Sequence, residues 1–555
     1  MSISGGGKLV FSVRMLLEDR KDFVAVKIDM RNAFNEVSRA AIIEALEEEP
    51  TLQHLAWLAA VVLAPSTGLE SGGKKWGRSA EGTAQGDPLS APFFNVAWHR
   101  YVRELNATLM SSGGLARFGM DDGYAVGPAN IIFSALEEFA VKVRDNCLLD
   151  WEKTKTEVFT WSGNLPKEAT AGLKIAGVEI CGGFEPGFLC YGVPVGTTKY
   201  VKYMLDIKVE DIAKGAKNAC EVLEGESQAL WSVLRLSLAQ QLDYWLQLCY
   251  PSDILHAAQK MDSVMWGVLE QIVGSHIPRK SEGHSWECVL DVPVANLNGR
   301  SFQEWVIRQP VRFGGFGLRS QIETSPVAFI GALRQILPSF SGEKGICPQL
   351  EHLISPNSKN IWQPLIESRC RTGMELQKAW TVLQKEAQEI SDYLGVELEG
   401  VLSVSELEVG EGYNIYKVRN LMTEQCEKIK GQLIGRSLEL HLDRKSRPVL
   451  AWPQMDKLSA AWLLALPGPH TGLSNSIVSE AARKILCLPS PSCRDRIGEK
   501  VGRVVVDEFG DKIMAAPLPG DTWRIRHDAV KSELNRLFHW SGIPAVCEVF
   551  GLFAN

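Results

Sequence analysis

Residues 23–29 read Phe-Val-Ala-Val-Lys-Ile-Asp, a short apolar run that ends in a carboxylate. Apolar and β-branched residues in a run of this length are typical of a mostly buried strand. Ser38 is a predicted N-cap for a helix that continues to about Glu48, with Ile42 and Leu46 on one apolar stripe. This part of the sequence therefore predicts a strand that leads into a helix through an acidic loop.

The elements that follow give the order strand, helix, helix, hairpin, helix, strand. This order is typical of a split βαβ unit with a ferredoxin-like sheet, so the predicted fold class is α+β. In the hairpin, Asp122-Gly123 between two apolar runs is the turn signal. The further predicted elements are a helix over about 88–109, a hairpin over 115–126, a helix over 134–146 and a strand near 157–161.

Three acidic side chains lie in two of these places. Asp29 ends the first strand, and Asp121-Asp122 lies at the tip of the predicted hairpin. Because these strands can be neighbours in such a sheet, the carboxylates are expected to meet, which is costly unless divalent cations neutralise them. Each place taken alone is more typical of turn chemistry, in which Asp is common.

Five short motifs place these carboxylates in a wider pattern. Lys27 to Asn35 resembles motif A of reverse transcriptases, and Met120-Asp121-Asp122-Gly123 resembles motif C. All five motifs follow the family order over residues 20 to 205, and the enzymes of non-LTR retrotransposons are the most similar in character. The remaining matches are 81–92 with motif B, 155–157 with motif D and 192–196 with motif E. The resemblance implies a right-hand polymerase palm that copies an RNA template onto a DNA primer from deoxynucleoside triphosphates.

The resemblance also implies a role for each matched residue near the reacting groups. Asp29, Asp121 and Asp122 would hold two Mg²⁺ ions that activate the primer 3′-hydroxyl and steady the leaving pyrophosphate. Lys155 would protonate or steady that pyrophosphate, and a solvated surface lysine is the alternative. The primer grip, with an ordinary hairpin turn as its alternative, would be the tight turn of Gly192, Val193, Pro194, Val195 and Gly196.

Three further residues are expected to bind the nucleotide. Phe34, five residues after Asp29, resembles a steric gate that collides with a ribose 2′-hydroxyl; a core phenylalanine is the alternative. RNA-copying RNA polymerases usually carry a second Asp near this position. Phe34 therefore favours a polymerase that uses deoxynucleotides over an RNA-copying RNA polymerase, which is a third possible function. Gln85 and Gly86 would let the backbone approach the incoming nucleotide, because Gly permits close contact. Their alternative is an ordinary loop that enters the next helix.

The chain divides along its sequence into four predicted regions. Residues 1–205 are the palm with residual fingers, 206–275 a helical thumb, 276–450 a connection of unknown role, and 451–555 a C-terminal α/β remnant. Within the last region, residues 523–530 and Glu548 resemble the start of a restriction-like endonuclease. Cys487 and Cys493, six residues apart, make a poor zinc site, so no zinc is predicted.

Composition sets limits on the class of protein. The 555 residues are 45% apolar and 23% charged, which is ordinary for a globular protein, and no run is long and apolar enough to span a bilayer. The absence of an apolar leader and the twelve scattered cysteines predict an intracellular protein of the cytoplasm or nucleus, with no membrane contact and no stable protein partner. The net charge of −7 argues against a nucleic-acid binder unless cationic side chains are concentrated in one place.

The start of the chain leaves a second function open. Asp29 lies near Met1, whereas the family normally has a longer fingers region first, and Gly5-Gly6-Gly7-Lys8 is interpreted as the tail of that region. An N-terminally truncated enzyme is therefore expected. The alternative function is a catalytically inactive or domesticated nucleic-acid-binding remnant of a retroelement.

Overall fold

The chain folds as a mixture of helices and small, mainly antiparallel sheets, so the α+β class is confirmed. Its described residues form two compact units, assembled from Met1–Gly215, Gln240–Val264 and Ser320–Cys426, and from Ala216–Ala239, Met265–Arg319 and Glu427–Asn555. The computed structural model describes residues 5–63, 66–152, 155–164, 166–172, 179–180, 185–277, 302–308, 311, 315–340, 345–353, 363–394, 461–468, 472–486, 488–510, 513, 525, 528, 531–532 and 535.

A five-stranded sheet organises the first unit. Its strands are β1 (Val24–Ile28), β4 (Leu115–Gly119), β5 (Asp122–Gly127), β6 (Glu157–Phe159) and β7 (Glu179–Ile180). Their order is β4-β5-β1-β6-β7, and β1 pairs antiparallel with both β5 and β6. This order places β5 between β1 and β4, as a split βαβ unit requires. The first strand and the predicted hairpin are therefore neighbours in one sheet, as the sequence leads us to expect.

Helices cover one face of this sheet. Val24, Val26 and Ile28 of β1 point into a core that the helices complete with Phe94, Trp98 and other apolar side chains. Ser38 caps the second of these helices as predicted, since its hydroxyl accepts a hydrogen bond from the backbone N–H of Ala41. The helices are α2 (Ala33–Glu36), α3 (Arg39–Glu48), α4 (Ala56–Leu63), α5 (Ser90–Met110) and α6 (Ala129–Cys147).

The opposite face of the sheet is covered by an N-terminal helix and a separate hairpin. Helix α1 (Gly5–Asp19) buries Leu9 to Leu17 almost completely, and β8 (Gly187–Cys190) pairs with β9 (Val193–Gly196). Both faces of β1 are thus covered, which explains its nearly continuous apolar sequence. Gly5 to Lys8 form the first turn of α1, an element that is not predicted from the sequence.

Two hairpins differ from the sequence expectation. The turn of the β4–β5 hairpin lies at Met120-Asp121, with Met120 at φ 67°, and Asp122-Gly123 begins β5 instead. Gly123 is required there because an added Cβ would lie 2.1 Å from Cε1 of Phe118. A further hairpin of β2 (Thr67–Ser71) and β3 (Lys74–Ser79) follows α4 and is not predicted from the sequence.

The rest of the first unit is helical where it is described. Tyr250 joins α1 to a later helix through hydrogen bonds with Glu18 and Thr372. The helices that begin in the first unit are α7 (Lys167–Gly172), α8 (Thr198–Val222), α10 (Asp243–Leu248), α11 (Pro251–Val273), α13 (Gln321–Ile336), α14 (Gln363–Glu367) and α15 (Arg371–Leu394). Helices α9 (Ser227–Leu236) and α12 (Phe302–Arg308) belong to the second unit. The helical character of 206–275 is confirmed. The functional names of the four regions stay predictions, because helical packing assigns no function to a segment.

The second unit has its own packing. Trp231 of α9 is buried, and its indole N–H donates to the carbonyl of Leu463 at 2.7 Å. Arg483 donates to the carbonyl of Val273 at 2.8 Å. Its remaining elements are α16 (Ala461–Leu464), α17 (Asn475–Ile485), β10 (Lys500–Val501) and β11 (Val504–Val505). Cys487, most of 523–530 and Glu548 lie outside the described residues, so the endonuclease resemblance and the absence of zinc stay predictions.

Candidate active site

The sheet places Asp29 and Asp122 at the same end of two neighbouring antiparallel strands. The β1–β5 ladder ends at the pair Ile28–Gly123, and Asp29 follows β1 at the same end of the sheet where Asp122 begins β5. Asp121 occupies the turn immediately before β5. The observed register therefore brings Asp29, Asp121 and Asp122 to the same end of the sheet.

The electrostatics of the cluster support this arrangement. The pKa of Asp122 is raised above its ordinary value by burial first, and then by the negative charges of Asp121 and Asp29. Lys27 and Lys155 oppose this effect and lower the pKa of Asp122. Like charges that perturb one another must lie close in a medium of low dielectric constant. Asp121 and Asp29 therefore both lie near enough to Asp122 to act on its carboxyl group.

Lys155 contacts Asp29 directly. The backbone carbonyl of Asp29 accepts a hydrogen bond from the N–H of Glu152 at 2.9 Å, and a turn follows in which Lys155 N–H donates to Glu152. This turn brings Nζ of Lys155 to 2.9 Å from Oδ2 of Asp29. The hydrogen bond and charge of Asp29 raise the pKa of Lys155, so its ammonium remains protonated at neutral pH. The side chain is two-thirds exposed and can exchange this partner for a bound anion.

The residues present fit a divalent cation by donor type, because Mg²⁺ prefers carboxylate oxygens and three carboxylates lie at this end of the sheet. Asp29, Asp121 and Asp122 are the side chains that would hold it. Among the described residues, no three His, Cys, Asp or Glu side chains are already gathered around a single point. One oxygen of Asp29 is held by Lys155, so binding an ion at all three carboxylates requires that side chain to give up this contact.

Phe34 lies in α2, five residues after Asp29 in the chain, and is half-buried. Its ring stacks on Phe94 of α5, with ring centroids 4.6 Å apart and an interplanar angle of 25°. Its carbonyl accepts a hydrogen bond from the N–H of Thr83 at 2.6 Å. Gly82 is required at this junction, since its φ is 74° and an added Cβ would lie 2.2 Å from the carbonyl oxygen of Asn35. Motifs A and B are thus joined through their backbones.

Gln85 and Gly86 lie in an exposed loop before α5. Gly86 has a φ of 94°, and an added Cβ there would meet nothing within 4 Å. The loop is tied at its ends: the Ser90 hydroxyl donates to the carbonyl of Ala84 at 2.6 Å, and Asp87 accepts from the N–H of Leu89 at 2.8 Å. Gln85 and Gly86 are therefore exposed to solvent, while hydrogen bonds hold the two ends of their loop in place.

The turn at motif E begins one residue earlier than predicted and is shorter. Tyr191 and Gly192 form the turn, with φ values of 50° and 78°. The other members, Val193, Pro194, Val195 and Gly196, are buried in β9. The five-residue turn predicted for 192–196 is therefore wrong in its extent, because alternating residues of β9 pack on both sides of the small sheet. Only Gly192 remains exposed.

Tyr191 is a residue of this site that is not predicted from the sequence. Its ring covers Gly119, where an added Cβ would lie 2.4 Å from Cε2 of Tyr191. Gly119 pairs with Asp122 in the β4–β5 hairpin, so the ring lies next to the carboxylates. The backbone N–H of Tyr191 donates to the hydroxyl of Tyr124 at 2.7 Å. A glycine in a strand beside an acidic pair is the one sequence signal for such a close approach.

Comparison with known proteins leaves the family of this chain open. No protein-family model matches it, and no curated protein matches it. Among solved structures it is similar to telomerase from Candida albicans in complex with the TWJ fragment of telomeric RNA, with 13% identity and a TM-score of 0.29. That match covers 62% of this chain and 51% of the telomerase chain, so the chain spans about half the length of its match. The functional interpretation therefore rests on the geometry of the site.

No helix among the described residues is both long and apolar enough to cross a bilayer. The longest helix, α8, carries charged side chains along its length.

Proposed function

We propose that the chain is an RNA-directed DNA polymerase of retrotransposon origin, of the non-LTR type, in which the five-stranded sheet is the palm. The observation that carries the proposal is that Asp29 follows β1 and Asp122 begins β5 at the same end of these paired strands, with Asp121 in the adjoining turn. A cluster of carboxylates at the end of a split βαβ sheet is suited to metal-assisted phosphoryl transfer.

The chain's own residues have separate tasks in the proposed reaction. Asp29, Asp121 and Asp122 hold two Mg²⁺ ions, which when bound activate the primer 3′-hydroxyl and neutralise the leaving pyrophosphate. Lys155, whose ammonium lies 2.9 Å from Asp29, supplies a positive charge and a proton at the same place. Phe34 excludes a ribose 2′-hydroxyl by its bulk.

The remaining predicted contacts extend from the same site. Gln85 and Gly86 approach the incoming deoxynucleoside triphosphate from an exposed loop with a fixed base. Gly192, at the exposed turn of the β8–β9 hairpin, bears on the primer strand. The helices of 206–275 act as a thumb on the template–primer duplex, and the protein works in the cytoplasm or nucleus on an RNA template and a DNA primer.

Primer extension tests the proposal. The chain is supplied with an RNA template, a DNA primer, deoxynucleoside triphosphates and Mg²⁺, and the expected result is template-dependent incorporation that ends when the metal is chelated. Asp121→Asn should reduce incorporation by several orders of magnitude, because the amide cannot replace the charge of a metal ligand. Asp145→Asn, an exposed position on α6, is the matched control and should leave incorporation unchanged. Incorporation that persists in a folded Asp121→Asn protein contradicts the metal assignment.

A second function is favoured by the ion pair between Lys155 and Asp29. A lysine that neutralises one carboxylate can also stabilise a site that no longer holds metal, as in an inactive nucleic-acid-binding remnant. The two functions differ in a simple measurement. Binding of the RNA template–DNA primer with no incorporation at any Mg²⁺ concentration supports the remnant and excludes the polymerase.

A further inference from the structure

The β2–β3 hairpin projects an exposed strand that the proposed active site does not use. Every residue from Lys74 to Arg78 is exposed, and Trp76 has 75% of its surface accessible to solvent. An indole that is left so open on a globular protein forgoes the large favourable free energy of aromatic burial. The exposure of Trp76 therefore requires a local cause and suggests a use.

The local cause is an irregularity in the pairing of the two strands. Leu69 pairs with Gly77, but the next residue, Glu70, pairs with Lys75, which leaves Trp76 without a partner in β2. An extra residue in one strand is a β-bulge, and bulges re-aim the side chain that they carry. The Trp76 indole N–H donates to the carbonyl of Ser71 at 3.4 Å, which orients the ring on the hairpin surface.

The hairpin also concentrates positive charge. Lys74, Lys75 and Arg78 lie on β3, and Glu70 is the one acidic residue between Thr67 and Ser79. No ion pair within the described part of the chain involves Lys74 or Lys75, while Arg78 donates to the carbonyl of Ser66 at 2.9 Å. In a chain whose net charge is −7, this is a local cationic strand with an aromatic ring between its charges.

Arg39 fixes the base of the hairpin next to the proposed active site. Its guanidinium donates to the hydroxyl of Ser79 at 3.1 Å, to the carbonyl of Leu63 at 2.7 Å and to the carbonyl of Gly82 at 2.9 Å. Gly82 adjoins Thr83, which is bonded to Phe34. The base of the exposed strand is consequently anchored to the same backbone junction that positions Phe34.

We propose that the β2–β3 hairpin binds single-stranded nucleic acid, with a base stacked on Trp76 and phosphates held by Lys74 and Lys75. A basic strand with an interleaved aromatic ring is the combination that single strands recognise, because every base has a face to stack and every nucleotide has a charge. A duplex offers the charge but keeps its bases stacked, so the exposed ring favours a single strand. The proposal does not depend on catalysis, since binding is measured without metal or nucleotide.

The experiment is fluorescence anisotropy of labelled ten-nucleotide oligomers of uridine and of thymidine with the full chain in EDTA. Trp76→Ala should weaken binding at least about fivefold, as loss of one base–aromatic stack does. Trp76→Phe should retain most of the affinity because it keeps a ring. The double variant Lys74→Gln, Lys75→Gln should weaken binding. The slope of log affinity against log salt concentration should become shallower by about 0.7 for each lost phosphate contact.

Matched variants separate the hairpin from the rest of the surface. Trp57→Ala removes another tryptophan, 67% exposed, on α4, and Lys142→Gln with Arg144→Gln removes two charges from α6. Both should bind like the unaltered chain. The proposal is overturned if the control variants lose as much affinity, or if Trp76→Ala and the double lysine variant bind as well as the unaltered chain. It is also overturned if the hairpin binds vesicles of anionic phospholipid and not the oligomers. Comparison of the two oligomers shows whether RNA or DNA is preferred.

Discussion

The ring of Tyr191 covers Gly119 so closely that an added Cβ would lie 2.4 Å from its Cε2 atom and 3.0 Å from its hydroxyl oxygen. Tyr191 lies in the β8–β9 turn and Gly119 at the end of β4, so one contact joins the two hairpins. Since Gly119 pairs with Asp122, the contact also sets the surroundings of the carboxylates.

Gly119→Ala should therefore destabilise the protein by about 1–3 kcal/mol, the usual cost of an overpacked contact, and reduce nucleotide incorporation. The free energy of unfolding is measured by denaturant titration. Adding Tyr191→Ala should restore most of that loss, and the double-mutant cycle should give a coupling energy of about 0.5–3 kcal/mol. Gly77→Ala, a strand glycine with open space around it, is the matched control. A coupling energy near zero would show that the ring does not limit position 119.

Replacement of Lys155 distinguishes a proton donor from a counter-ion. If its ammonium assists the leaving pyrophosphate, Lys155→Gln should lower the single-turnover rate of incorporation by about 10²-fold or more at saturating Mg²⁺. Lys155→Arg keeps the charge and should retain more activity than Lys155→Gln. The loss of the ion pair also frees Asp29, so the Mg²⁺ concentration needed for half-maximal rate should fall. A normal maximal rate in Lys155→Gln would leave only the counter-ion role.

Phe34→Ala should admit ribonucleotides. Removal of the ring opens the space that a 2′-hydroxyl would need, and the ratio of deoxynucleotide to ribonucleotide incorporation should fall. The loss of stacking on Phe94 also lowers stability, by less than the roughly 3–5 kcal/mol of a fully buried Phe→Ala change, because Phe34 is half-buried. Phe34→Tyr retains the bulk and is the control. An unchanged ratio in a folded Phe34→Ala protein means that the ring serves the core alone.

The hydroxyl of Tyr250 is hydrogen-bonded to Glu18 of α1 and to Thr372 of α15. Replacement of Tyr250 should therefore shift the pH dependence of the free energy of unfolding. Its hydroxyl lies 2.8 Å from Glu18 and 2.7 Å from the hydroxyl of Thr372, while its ring is flanked by the guanidinium groups of Arg14 and Arg371. Burial raises the pKa of Glu18 above its ordinary value of 4.5, and Arg14, Tyr250, Arg371 and Lys21 partly oppose that rise. The folded state therefore holds this proton more tightly than the unfolded state. The stabilisation is present at low pH and is lost as the pH rises through the folded pKa.

Tyr250→Phe removes a hydrogen bond that lowers the pKa of Glu18, so the range in which stability falls with rising pH should extend upwards. At neutral pH the variant should lose about 1–3 kcal/mol, because a buried carboxylate loses a donor. Denaturant titrations from pH 4 to pH 8 measure both effects. Tyr203→Phe, at an exposed position, should change neither. An unaltered pH profile in Tyr250→Phe would mean that Glu18 does not titrate through this contact.

Much of the central sheet could be predicted from the sequence because its signals are local. An apolar run ending in Asp29, the N-cap at Ser38 and the acidic pair between two apolar strands each depend on a few neighbouring residues. The β2–β3 hairpin was missed because its strands carry Gly, Ser and Lys in place of the alternating apolar residues that mark a strand. Helix α1 was missed because three glycines at its start indicate a loop.

The extent of motif E illustrates the same limit. Gly192 to Gly196 has the glycines of a turn at both ends, yet only the first lies in the turn. Burial of the four residues from Val193 to Gly196 against neighbouring elements selected a strand, and no property of the five residues alone distinguishes the two outcomes.

By itself, the sequence determined the local elements of the central sheet: the apolar strand before Asp29, the helix capped by Ser38, and the hairpin that carries Asp121 and Asp122. Only the tertiary structure decided that Lys155 pairs with Asp29, that Tyr191 covers Gly119 and that Arg39 anchors an exposed hairpin beside Phe34. The physical reason is sequence separation. A strand or a cap is selected by interactions among near neighbours, whereas these contacts join residues 40 to 126 positions apart and exist only after the sheet and its covering elements have packed.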